Sequence, residues 1–189
     1  VLAAAWIGIV RLLIPLFGIS VRDDVLERRN SSAAVAWFGA TLGFTLCFAG
    51  GNIGDGPGWW VVIYAATLAT GTLILLWFAY ERLTGISEIV TIDRDFAGGL
   101  RLAGWLIATG LVLGISVAGD WQNALQTNTD FVKRAWPTLV LFAAATIVEL
   151  MAKPTSRQPR PSVLTYGVIP LVSYVILSCL WVALVGLEA

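Results

Sequence analysis

Four ionisable residues stand where their chemistry matters most. Arg11 and Glu149 lie inside apolar runs, and Asp55 and Asp120 lie in glycine-bearing turns beside tryptophans. A charge held at the centre of a membrane costs about 2.5–3.5 kcal/mol on insertion scales, so it faces a partner or water. Pro15, four residues after Arg11, has no amide proton for the Arg11 carbonyl. A kink with a free carbonyl beside a cation would line a polar cavity. The plainer alternative is that Arg11 snorkels to an interface. Glu149 has Lys153 four residues along the same helix, and Glu81 has Arg82 beside it. Pairing or snorkelling explains both acids simply. Arg11 and Glu149 remain the candidates for an intramembrane polar site. Asp55 is followed by Trp59 and Trp60, and Asp120 by Trp121. Two carboxylates with indole faces nearby could hold a small organic cation by charge and cation–π attraction. Against this, Asp-Gly-Pro-Gly is ordinary turn chemistry, and tryptophans gather at membrane interfaces for their own reasons.

Other chemistry finds little support. The 189 residues contain no histidine, which removes the commonest general base and metal ligand. Cys47 and Cys179 both lie in apolar runs, outside any CxxC spacing, so neither a disulfide framework nor a zinc site is expected. No nucleophile–base pair or phosphate-cradling loop stands out. No catalytic, cofactor-binding or metal-binding residue is therefore expected, nor is an enzyme. The net charge is zero, with no basic face for nucleic acid.

The elements that position these residues follow from hydropathy. Hydrophobic residues make up 58% of the chain and charged ones 13%, with a mean hydropathy of +0.81. That composition cannot cover a soluble globule of this size. A bilayer core takes about 20 apolar residues in a helix. Six segments come near that length: Val1 to Val21, Ser31 to Gly50, Trp59 to Tyr80, Phe96 to Val117, Phe131 to Met151, and Val163 to Leu187. Five spans with a re-entrant segment is the fallback. The chain opens on Val1, so further residues are expected before it, and the first run reads as a retained span. Arg22, Arg28 and Arg29 follow span one; Arg82, Arg94 and Arg101 surround the junction of spans three and four; Lys153, Arg157 and Arg160 follow span five. These hold nine of the twelve cations. Cations stay cytoplasmic, which predicts both termini outside.

An internal similarity recurs at about 65 residues. Gly18-Ile19-Ser20 matches Gly85-Ile86-Ser87, Asn30 matches Asp95, Gly39 matches Gly104, and Gly54-Asp55 matches Gly119-Asp120. Asn30 and Asp95 sit where helix N-caps belong. A fainter third copy is suggested by Tyr80-Glu81 against Val148-Glu149, and by Gly167. The unit is a helix pair, so successive copies run parallel: 1–56, 57–121 and a diverged 122–189, within one membrane domain. The odd spans are bulky and suit lipid. The even spans are rich in small residues, including Gly39, Gly43, Gly104, Gly110 and Gly114, which let backbones approach. The expected fold is all-α, a polytopic transmembrane bundle of six spans, with spans two and four packed centrally.

The strings RNSSAAVAWFGATLGF, GNIGDGPGWWVV and RDFAGGLRLAGWLIATGLVLGISVAGDW resemble the domain of unknown function 350 (DUF-350) family of small bacterial inner-membrane proteins. The resemblance covers about Gly18 to Trp121. It implies an inner-membrane location and a repeat-built fold, and it brings no established activity. Genes of the family often lie near those for phage-shock-protein-A-like membrane-remodelling proteins and polyamine-synthesis enzymes, which implies a link to envelope maintenance. The expected function is thus a membrane-embedded assembly or scaffold component. The alternative is a channel or transporter subunit for small cations, polyamines among them. Expected partners are the lipid bilayer and copies of the chain or other membrane proteins, with no cofactor.

Overall fold

A computed structural model describes residues 2–153 and 162–188; Arg157 and Arg160 fall outside the described residues. The described chain is helical, with no strand. Its helices are α1 (Leu2–Leu13), α2 (Ser31–Gly50), α3 (Trp59–Thr84), α4 (Ile86–Thr91), α5 (Phe96–Val117), α6 (Ala124–Ala135), α7 (Pro137–Ala152) and α8 (Ile169–Glu188). Three shorter pieces complete it: a 3-10 turn at Ile14–Phe17, and π-helical turns at Val21–Glu27 and Leu164–Val168.

Four helices are long and apolar enough to cross a membrane: α2, α3, α5, and α8 taken with its π-helical start. The count reaches six if each of two bent pairs is one span. A left-handed glycine, Gly18, marks the first bend and a proline the second. Pro15 stops α1 at Leu13, and after Gly18 the chain turns by 82° into Val21–Glu27. The first apolar segment therefore ends at Phe17, short of the expected Val21. Pro137 separates α6 from α7 at a bend of 41°. The fifth apolar segment is thus two helices, starting at Ala124 rather than the expected Phe131, with Lys133 and Arg134 in the last turn of α6.

Both central helices start in the same way. The Asn30 side chain accepts from the Ser32 and Ala33 amides, and Asp95 accepts from Ala97 and Gly98. Each cap follows an arginine in the left-handed region, Arg29 at φ 51° and Arg94 at φ 53°. Cross-links then tie the two starts together: Asn30 Nδ2 donates to the Val90 carbonyl at 2.9 Å, and Ser32 Oγ to that of Asp95 at 2.6 Å.

From there α2 and α5 run backbone against backbone. Gly39 abuts Ala103, Gly43 abuts the Leu106 carbonyl, Gly110 meets Gly43, and Gly114 meets Leu46. Gly104 faces elsewhere: it takes Leu171 of α8. With α2 on one side and α8 on another, α5 is the hub. It is 78% buried over its most apolar stretch, against 17% for the last span. Bulky residues fill the remaining space. Phe17 stacks on Trp77 at 4.0 Å, and Tyr80 on Trp105 at 4.7 Å. The lipid-suited run of α3 divides accordingly, since Leu75 and Phe78 are exposed whereas Leu73 and Trp77 are fully buried.

A Cβ at Gly110 would collide with the backbone of Gly43, whereas one at Gly71 would meet nothing. Overpacking of this kind costs about 1–3 kcal/mol. Gly110→Val is therefore expected to lower the melting temperature of the detergent-purified protein, and Gly71→Ala to leave it unchanged.

Candidate functional site

The most polar feature of the interior is a cluster at one end of the bundle, where α3 and α7 finish and α5 and α8 begin. Arg101 lies in the second turn of α5, and its side chain is 1% exposed. Its Nε donates to Glu149 Oε2 at 2.6 Å and its Nη2 to Oε1 at 2.7 Å, a fork-on-fork pair. Nη2 also reaches Asp95 Oδ2 at 3.3 Å. Nη1 donates to the Tyr166 carbonyl at 2.7 Å. That carbonyl lies in the π-helical turn before α8, a distortion of the helical ladder common at sites with a special role. Tyr80 closes the cluster by donating from its hydroxyl to Glu149 Oε2 at 3.4 Å. The Tyr174 hydroxyl is buried without a hydrogen-bond partner among the described residues.

The α5 cap, α7 and the π-helical turn thus converge on one guanidinium, and α3 joins them through Glu149. Asp95 shares its charge with the first amides of α5, and Glu149, fully buried, belongs to Arg101. The arrangement can hold helices in register. The Lys153 side chain is not the partner of Glu149: it lies beside a separate cavity of about 240 Å³, lined also by Thr84, Gly85, Glu88 and Asp93. Nor does Arg82 take Glu81. Glu81 accepts from the amide and hydroxyl of Ser87, and Arg82 stacks over Phe78 at 4.8 Å. Arg11 stands apart, exposed in the last turn of α1, so Arg11 and Glu149 form no common site.

Arg101 was read from sequence as a loop cation just inside its helix. Chain direction is the signal that finds it. Arg101 follows the Asp95 cap by six residues, and Glu149 precedes the end of α7 by three. Because α5 starts where α7 ends, the two charges meet at one depth.

At the far end of the bundle the two sequence-equivalent turns do come together. Gly119 N donates to the Ile53 carbonyl at 3.0 Å and Trp121 N to that of Asp55 at 2.8 Å. The Asp55 amide donates to Asp120 Oδ1 at 2.8 Å. Gly54, at φ 110°, allows this contact; a Cβ there would strike the Gly119 carbonyl. Beside the paired turns is an open cavity of about 540 Å³, with Asp55, Asp120, Asp130, Trp59, Trp121 and Arg134 in its walls. Trp60 and Tyr64 meet Trp121 edge-on at 5.0 and 5.3 Å. The carboxylates are partly engaged: Asp120 by Asp55, and Asp130 by the Gln126 amide at 2.9 Å.

The two polar regions are separate. The cavity reaches Ala65, Ser116 and Val117. Ser116 and Arg101 are fifteen residues apart on α5, about 22 Å at 1.5 Å per residue. Between them on α5 lie buried Leu102, Trp105, Leu106, Ala108, Val112 and Leu113, with Thr109 the sole hydroxyl of that stretch; α3 adds the buried hydroxyl of Thr70.

Comparison with known proteins found no matching family model, no matching curated protein and no matching solved structure. The helices by themselves define the class: a multi-pass, all-helical membrane protein.

Removing one member of a buried ion pair costs about 3–5 kcal/mol, because the other charge is stranded; replacing both with apolar residues is often neutral. Glu149→Gln and Arg101→Met should each lower thermal stability strongly. The double variant Arg101→Met/Glu149→Leu should recover most of the loss, measured as a thermodynamic cycle in one detergent.

Proposed function

We propose that this chain is a non-enzymatic, multi-pass protein of the bacterial inner membrane that serves as an assembly or scaffold component linked to envelope maintenance. The observation that carries this reading is the interior. Close-packed helices and a clamped ion pair fill it, and about 22 Å of buried side chains separate the outer cavity from the Arg101 cluster. A transporter needs polar groups along its route.

Three paired features support a parallel helix-pair architecture in the manner of the DUF-350 family: left-handed Arg29 and Arg94, the caps Asn30 and Asp95, and left-handed Gly54 and Gly119, each pair 65 residues apart. The described cations Arg22, Arg28, Arg29, Arg82, Arg94 and Lys153 sit at the ends of helices that meet on the Arg101 side. Under the positive-inside rule this face is cytoplasmic, and the cavity of Asp55 and Asp120 is on the outer side. Envelope maintenance rests on the gene neighbourhood that the family resemblance implies.

The outer cavity favours a second reading, a subunit that binds or conducts small organic cations. Its walls carry three carboxylates and two indoles against one guanidinium.

Crosslinking in native membranes is expected to capture the chain with itself or with membrane partners; recovery as a lone monomer would overturn the scaffold reading. Proteoliposomes are expected to pass no spermidine or potassium. Flux abolished by Asp55→Asn/Asp120→Asn would install the second reading in its place.

A further inference from the structure

The two seams on α5 are the same seam used twice. In the first, Ser32 of α2 meets Gly99 of α5, and Gly39 meets Ala103. In the second, Ala97 of α5 meets Gly167, and Gly104 meets Leu171 of α8. Moving on by 65 residues on the first side and 68 on the second turns either contact of the first seam into its counterpart in the second. Thus α5 turns one face to α2, carrying Gly99, Ala103, Leu106, Gly110 and Gly114. It turns the other, carrying Ala97, Arg101 and Gly104, to α8. This is head-to-tail packing, in which each unit has a donor face and a different acceptor face.

Such packing leaves one face open at each end. On α2 the acceptor face, equivalent to that of α5 against α2, is Ala34, Phe38, Thr41, Thr45 and Ala49. Phe38 is 61% exposed and none of the five is buried. On α8 the donor face is Thr165, Ile169, Val172, Ile176 and Cys179, all exposed. The first row is small apart from Phe38 and the second is mostly branched and bulky, so the rows are complementary in size. They are not self-complementary.

We propose that copies of this chain assemble head to tail, with the donor face of α8 on one copy seated on the acceptor face of α2 on the next. The interface continues the internal seams. Because it joins unlike faces, it propagates into a closed ring or an open row rather than a two-fold dimer. This deepens the assembly reading and rests on it.

The seam supplies its own test. Leu46 meets Gly114 in the first seam, and the equivalent residues across the copy–copy interface are Cys179 and Ala49. Cys179 is an exposed free thiol, whereas Cys47 is buried. In the full-length protein in native membranes, Ala49→Cys treated with copper phenanthroline is expected to give disulfide-linked dimers and larger species holding most of the chain. Adding Cys179→Ser should abolish them. Co-expressing Ala49→Cys/Cys179→Ser with the wild-type chain should give dimers and nothing larger, since each copy then has one reactive end. Crosslinking of Ala49→Cys/Cys179→Ser alone would mean α2 against α2 and would overturn the proposal. No disulfide while amine crosslinking still captures oligomers would overturn this interface and spare the assembly reading. Monomer by both methods would overturn both.

Discussion

The fold depends on how closely two backbones can approach. In lipid, apolar side chains gain little by leaving one apolar surrounding for another, so helices associate through contact and hydrogen bonds rather than by escaping water. Small residues supply the contact. Gly39, Gly43, Gly110 and Gly114 let α2 and α5 touch along their length, and Gly104 and Gly167 do the same between α5 and α8. With α5 held on two sides, the bulkier helices have a fixed surface to cover, and Trp77, Tyr80 and Trp105 fill what glycine cannot.

The Arg101 cluster answers a different need. Glycine seams let helices slide, because the contact is nearly uniform along the axis. A guanidinium that takes both oxygens of Glu149 and the Tyr166 carbonyl has one geometry. It fixes the level of α7 and of the start of α8 relative to α5. The seam between α2 and α5, by contrast, closes without a buried ion pair among the described residues. The ion pair therefore belongs to the seam that joins the least regular helix pair. There, proline and a π-helical turn loosen the backbone, and directional bonds compensate.

Much of the bundle was legible beforehand. The apolar segments that became α2, α3, α5 and α8 stood out because at most one charge interrupts any of them over about 20 residues. The caps Asn30 and Asp95 were visible because a short polar side chain before a small-residue run has one good use. Less legible were the prolines: their types announced bends, but not that the first span would stop at Phe17 or that the fifth would start at Ala124 and break in two at Pro137. The candidate polar site was half legible. Glu149 was conspicuous inside its run, whereas Arg101 looked like one more loop cation, and local spacing drew Glu149 to Lys153 and Glu81 to Arg82.

The sequence by itself determined the class of protein, the principal helices, their caps and the residues at which backbones could touch. These depend on composition and on neighbours within a turn or two. Only the tertiary structure decided which charges pair, that Asp55 and Asp120 meet across one cavity, and that α5 presents unlike faces to α2 and α8. Those outcomes depend on which helices share a level and a side. No spacing along the chain encodes that, because partners such as Arg101 and Glu149 lie 48 residues apart and meet only after the helices between them have packed.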